Sequence, residues 1–204
     1  MSRKIFTVAI LLSCGATIAQ KKDAPKSAPA APAEKIDYKV PGSPMHNFRL
    51  VTIDTLPPVA VQKKHKKHHK KDVVDTTFKQ QITKEYTEKD FDNNANLFVM
   101  IFNPTCGHCE EQTDHIEKSI GIFKKSKIVL ITNPVQMPYL SDFIKNHKVK
   151  NYPNITVGVD SSEYTHETYL YSALPQINIF DKNRKLIKAF AGEIAIDSLK
   201  QYAE

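Results

Sequence analysis

Cysteine is scarce in this sequence, with only three residues in a chain of 204. One of them, Cys14, lies in the N-terminal leader, so the rest of the chain has a single pair, Cys106 and Cys109. That number excludes a small domain held together by a disulfide framework. The apolar run of the leader, Ile5 to Leu12, is too short for a membrane-spanning helix, which needs about 20 residues.

Positive charge is concentrated in two short segments. The formal net charge is +7 at pH 7, but Arg3 and Lys4 belong to the leader and six lysines lie in the tract Lys63–Lys71. The remainder of the chain is close to neutral. Because the basic charge is local, no nucleic-acid partner is expected.

The leader has the order of a secretory signal. Arg3 and Lys4 precede the apolar centre Ile5 to Leu12, and small residues ending at Ala19 follow it, which predicts a signal peptide over 1–19. A lipoprotein signal with Cys14 as the lipidated residue is the alternative. Either interpretation predicts a periplasmic or otherwise extracytoplasmic domain, where disulfides persist.

Composition then divides the remaining chain. Residues 20–44 are rich in Ala, Pro and Lys and predict a disordered linker, followed by one domain over 45–204. The domain carries a Lys/His-rich insertion at 62–72. Its histidines, His65, His68 and His69, could bind a metal weakly, while its lysines could contact an anionic surface. The third interpretation is a solvated loop with no partner.

Apolar segments of short length alternate with helical patterns, which predicts an α/β domain with a mixed sheet and helices on both faces. The predicted strands are 48–53, 73–78, 82–86, 97–102, 127–132, 155–159, 176–180 and 185–190. The first predicted helix begins after the turn Cys106–Cys109 and ends at about residue 123. The second begins at Pro138 and continues through Ile144, and the last covers 194–202. One or two helical turns are predicted within 161–171.

The segment Cys106-Gly107-His108-Cys109 lies between the apolar run 97–102 and the polar helix that follows. A thiol at a helix start is favoured as the thiolate by backbone N–H groups and the helix dipole. A disulfide across so short a loop adds little stability. A zinc site needs further ligands, and the chain has no second CxxC pair. The pattern therefore indicates a redox site.

With the Leu174-Pro175 step and the hairpin after it, this segment resembles the thioredoxin-like superfamily. The CGHC tetrad is the one that protein disulfide isomerases use. The leader and the extra N-terminal strands resemble the extracytoplasmic proteins of the TlpA and ResA type. The resemblance implies a three-layer thioredoxin-like fold over residues 45–204, with extra N-terminal strands.

The resemblance also implies roles for the site residues. Cys106 is the nucleophile, Cys109 resolves the mixed disulfide, His108 stabilises the Cys106 thiolate when protonated, and Pro175 is a cis-proline facing the pair. The implied substrate contacts are Thr105, Gly107 and Leu174. No cofactor is implied beyond the Cys106–Cys109 disulfide.

Two departures from the family pattern stand out. Thr105 occupies the position where thioredoxins usually have Trp. The strand 97–102 contains no charged residue, so the buried carboxylate that often accepts a proton in this family is missing. Glu110 and Glu111 could substitute, although helix carboxylates are mostly solvated.

The predicted function is an extracytoplasmic thiol–disulfide oxidoreductase, of either direction, that acts on protein thiols or disulfides. The predicted partners are such proteins and a membrane or periplasmic redox partner, with the chain itself a monomer. One alternative is a copper-handling protein that uses Cys106, Cys109 and the histidine tract. Another is a binding module with incidental cysteines. His147 and His166 are interpreted as surface histidines.

Overall fold

The computed structural model describes residues 36–55, 80–169 and 173–203. Within these ranges seven strands form one sheet. The strands are β1 (Arg49–Thr55), β2 (Gln80–Thr87), β3 (Leu97–Ile101), β4 (Lys127–Thr132), β5 (Ile155–Asp160), β6 (Gln176–Phe180) and β7 (Leu186–Ala191). The helices are α1 (Gly107–Lys118), α2 (Met137–Asn146), α3 (Tyr164–Thr168) and α4 (Ile196–Lys200). Short 3-10 helices cover Glu88–Phe91, Ile120–Phe123, Pro134–Gln136 and Val149–Asn151.

The sheet has the strand order β2-β1-β5-β4-β3-β6-β7. Strands β3, β4 and β5 run parallel, whereas β1, β2, β6 and β7 add antiparallel pairs at the two sides. All five residues of β3 and all five of β6 are buried. An uninterrupted apolar strand such as β3 is typical of a sheet that is covered on both faces.

Two apolar clusters cover the two faces of the sheet. On one face Phe98 and Met100 of β3 pack with Ile116 of α1, Leu140 of α2 and Leu199 of α4. The alternate residues of β3 join the other cluster, which contains three aromatic side chains from outside the sheet: Phe48, Phe91 and Tyr164 of α3. The predicted mixed sheet with helices on both faces is therefore confirmed.

The N-terminal boundary of the folded part differs from the prediction of a linker up to residue 44. The Gly42 N–H donates to the Leu186 carbonyl at 2.8 Å, and the Leu186 N–H donates to the Ser43 carbonyl at 2.9 Å. Pro44 forms an isolated β-bridge with Lys185. Backbone groups make these contacts, so the composition of the segment gave no sign of them.

Two local predictions are also corrected. The helix that starts in the CGHC segment ends at Lys118, and a 3-10 helix, Ile120–Phe123, replaces its predicted last turn. His147 is not a surface histidine, because its side chain is only 10% exposed and its Nδ1 lies 2.8 Å from Asp114 Oδ1. The imidazole also packs on the Phe143 ring, with centroids 4.5 Å apart.

Several predictions fall outside the described residues. These are the signal peptide 1–19, most of the linker, the Lys/His-rich insertion 62–72 with its tract Lys63–Lys71, and the candidate strand 73–78. In the described part of the chain, no helix combines the length and the apolar character needed to cross a membrane.

Candidate functional site: a cysteine pair at a helix start

The CGHC segment begins α1 after a four-residue connection, 102–105, from the end of β3. Cys106 is the N-cap residue, with extended backbone angles, and Gly107 is the first helical residue. The Cys106 carbonyl accepts hydrogen bonds from the N–H groups of Cys109 at 2.9 Å and Glu110 at 3.1 Å. The N-cap position places Cys106 at the positive end of the helix dipole, beside the unpaired backbone N–H groups of the first turn.

Asn103 organises the turn between β3 and α1. Its side-chain Oδ1 accepts hydrogen bonds from the N–H and the hydroxyl of Thr105, both at 2.9 Å. Its carbonyl accepts one from the Cys106 N–H at 3.1 Å. The sequence analysis did not single out Asn103, although Asn is a residue that favours such side-chain-closed turns.

The two thiols differ in their exposure and environment. Both cysteines are free, with Cys106 partly exposed and Cys109 completely buried. Burial is the main reason that the pKa of the Cys109 thiol is raised to about 12, and the Cys106 sulfur and the Glu110 carboxylate act in the same direction. A hydrogen bond from the backbone N–H of Asn103 opposes these effects. One thiol is therefore accessible for attack, and the other stays protonated at neutral pH.

No side chain described near Cys109 replaces the missing buried carboxylate. Glu110 and Glu111 both lie exposed on α1, and the charge of Glu110 raises the pKa of Cys109. Tyr169 is also close, since burial first and the charge of Cys109 second raise the pKa of its phenol. Among the described residues, neither of these helix carboxylates is a buried proton acceptor for Cys109.

Strand pairing brings Pro175 to the same edge of the sheet as the cysteines. Ile101, at the end of β3, pairs with Gln176, which follows Pro175 directly. The Leu174–Pro175 peptide bond is cis. Pro175 is buried and Leu174 is partly buried. The Gly192 N–H donates to the Pro175 carbonyl at 2.9 Å, so the end of β7 adjoins the proline.

The remaining predicted site residues surround the pair. Thr105, Gly107 and His108 are exposed. A cleft of about 350 Å³ opens between the ends of β3 and β4, the α3 segment and the loop before Pro175. Its lining is Ile101, Phe102, Asn103, Asn133, Thr165, His166, Tyr169 and Leu174. Asn103 lines this cleft and its side chain accepts a hydrogen bond from the Thr105 N–H, so the cleft adjoins the turn before Cys106.

Glu193 is a second residue that the sequence analysis missed. It follows Gly192 in the loop after β7, and its Oε2 lies 3.5 Å from His108 Nδ1. Its Oε1 lies 3.4 Å from His115 Nδ1. No sequence pattern singles out this residue, because a Gly-Glu step after a strand is typical of an ordinary loop.

Comparisons with solved structures identify the fold. The thioredoxin domain of a thiol-disulfide oxidoreductase from Bacteroides vulgatus has a TM-score of 0.52 and 14% identity, covering 81% of this chain and 99% of that domain. StoA from Bacillus subtilis has a TM-score of 0.48 and 14% identity, and the match covers 59% of this chain and 90% of StoA. A secreted disulfide oxidoreductase of Mycobacterium tuberculosis has a TM-score of 0.48 and 10% identity, and the match covers 58% of this chain and 87% of that protein.

The Bacteroides domain is similar over nearly its whole length, so the chain has a thioredoxin-like fold. This confirms the predicted fold class. No protein-family model and no curated protein matches the sequence.

Proposed function

We propose that this protein exchanges disulfides with other proteins through Cys106 and Cys109. The observation that carries the proposal is that the two cysteines at the start of α1 differ in solvent exposure. Cys106 is the N-cap residue and is partly exposed, whereas Cys109 is buried and has a pKa of about 12. Such an arrangement separates an attacking thiolate from a resolving thiol.

Reduction of a substrate proceeds in two steps. The Cys106 thiolate attacks one sulfur of the substrate disulfide, forms a mixed disulfide and releases the other substrate sulfur as a thiolate. That thiolate, or water, takes the proton of Cys109. The Cys109 sulfur then attacks Cys106, the Cys106–Cys109 disulfide forms, and the second substrate thiol leaves. The same steps in reverse oxidise a substrate dithiol.

Substrate contacts are proposed at the exposed turn and the neighbouring loop. An extended substrate segment can lie along Leu174, next to Pro175, with its disulfide at Cys106. Thr105 and Gly107, the chain neighbours of Cys106, are exposed. The 350 Å³ cleft beside Leu174 is large enough for a side chain of the segment. Its apolar lining, which includes Phe102 and Tyr169, favours an apolar side chain.

Each turnover consumes or supplies two electrons, so a second redox partner is part of the proposal. A membrane-bound or periplasmic protein with its own redox-active cysteine pair fits this role, as the dithiol when this chain reduces its substrate and as the disulfide when it oxidises its substrate. Such a partner is available if the leader exports the chain, as its charge and apolar order predict. The proposed compartment is extracytoplasmic. A disulfide exchange protein is useful there because disulfides persist outside the cytoplasm.

An insulin reduction assay tests the proposed function. With dithiothreitol as the electron source, the protein is expected to accelerate precipitation of the insulin B chain about tenfold or more, equivalent to about 1.4 kcal/mol of barrier. The control is the double variant Cys106→Ser/Cys109→Ser, which should match the reaction without protein. A wild-type rate equal to that of the double variant would refute the proposal.

A further inference from the structure

The backbone on both sides of Glu193 is fixed to the redox site. On one side the Gly192 N–H donates to the Pro175 carbonyl at 2.9 Å. On the other side the Ile194 N–H donates to the Oε1 of Gln112, a completely buried residue of α1, at 2.6 Å. The backbone of Glu193 is therefore held between Pro175 and α1 by a hydrogen bond on each side.

From this position the Glu193 carboxylate bridges two imidazoles of α1. One oxygen lies 3.5 Å from His108 Nδ1 and the other lies 3.4 Å from His115 Nδ1. Glu111, on α1 itself, reaches the same nitrogen of His108 at 3.7 Å. The Glu193 side chain is 32% exposed, whereas that of Glu111 is 62% exposed. Solvent therefore screens Glu193 less than Glu111.

We propose that Glu193 is a positioning residue that orients His108 and stabilises its imidazolium, and thereby sets the redox equilibrium of the Cys106–Cys109 pair. The inference rests on the proposed redox role of that pair. An imidazolium two residues after Cys106 favours the Cys106 thiolate, and with it the reduced form. The Glu193 charge should therefore make the pair more oxidising through His108.

A direct effect of the same charge has the opposite sign. The Glu193 carboxylate repels the Cys106 thiolate, which would disfavour the reduced form. A single Glu193→Gln substitution measures the sum of the two effects. A double-mutant cycle separates them, because the direct effect is present whether or not residue 108 is histidine.

The experiment measures the equilibrium constant of the protein with glutathione. In this reaction the protein dithiol and oxidised glutathione give the protein disulfide and two molecules of reduced glutathione. It is measured for the wild type, Glu193→Gln, His108→Gln and the double variant at pH 7. Glu193→Gln is expected to shift the equilibrium toward the protein disulfide about twofold to fivefold more in the wild type than in the His108→Gln background. At about 30 mV per tenfold change, this difference between the two backgrounds corresponds to about 10–20 mV in the potential.

Glu85→Gln is the matched control, because it removes one carboxylate charge from β2, where Glu85 Oε1 lies 3.6 Å from Arg49 Nη1. It should leave the equilibrium unchanged in both backgrounds. Thermal unfolding of each variant confirms that the fold persists. A purely structural role of Glu193 would lower stability without a coupling to His108.

Equal effects of Glu193→Gln in the two backgrounds would overturn the inference. The glutathione equilibrium needs no protein substrate, so the predicted coupling can be present even if insulin reduction fails. In that case the inference holds and the proposed activity on proteins does not. A wild-type pair that forms no disulfide in oxidised glutathione would refute both.

Discussion

The Cys109→Ser variant, once reduced and mixed with a disulfide-bonded protein, is expected to stop at a stable mixed disulfide through Cys106. The first attack requires only the accessible N-cap thiol, and the second requires the buried thiol that the variant lacks. Non-reducing electrophoresis should show the adduct, and peptide mass spectrometry should place the bond at Cys106. The adduct should disappear on addition of dithiothreitol.

Cys106→Ser is the matched comparison, since it leaves the buried thiol as the only one of the pair. Cys109 is fully buried and mostly protonated, so adduct formation should fall about a hundredfold or more. Equal adduct formation by the two variants would contradict the assignment of Cys106 as the nucleophile. An adduct formed only by Cys106→Ser would reverse the two roles.

Gly158→Ala is expected to destabilise the protein strongly, although it adds a single methyl group. Gly158 lies in β5 next to β1, and an added Cβ would approach the Val51 carbonyl oxygen to 2.6 Å and Leu50 Cγ to 2.8 Å. Relief requires a shift of the β1 backbone, which is held in the sheet between β2 and β5. The expected loss is about 2–3 kcal/mol in the free energy of unfolding, measured with urea.

Gly121→Ala provides the control for this substitution. An added Cβ at Gly121 meets no heavy atom within 4 Å, so its effect should stay within about 0.5 kcal/mol. Similar values for the two variants would show that the contact between β5 and β1 is looser than described. The insulin activity of Gly158→Ala, measured below its unfolding transition, should be close to wild type because the site residues are unchanged.

The central strands and the start of α1 could be predicted because their signals are local. The run Leu97–Ile101 is apolar throughout, and the cysteine spacing fixes both thiols within one helical turn. Less apparent was the buried face of α1, where Gln112 and Thr113 accompany Cys109 and Ile116. Those two polar side chains are buried because Gln112 accepts the Ile194 N–H and Thr113 donates to the Cys109 carbonyl.

The parts that the sequence could not reveal depend on contacts between distant segments. Glu193 reaches His108 only because β7 ends beside Pro175 and because Ile194 is bonded to α1. His147 looked like a surface residue, but the end of α2 places its ring against Asp114 of α1. Residues 42–44 join the folded part through backbone hydrogen bonds along β7, and such bonds leave no trace in side-chain composition.

The reduction potential of the Cys106–Cys109 pair is the measurement that tests the central claim most directly. The protein is equilibrated in graded glutathione buffers, and the thiols are trapped and counted by mass. The proposed redox role predicts one two-electron transition, and the histidine of the CGHC segment places it above the value of about −270 mV for thioredoxin, nearer the −180 mV or so of protein disulfide isomerase. Two free thiols at every ratio, or adducts with glutathione in place of an internal disulfide, would contradict it.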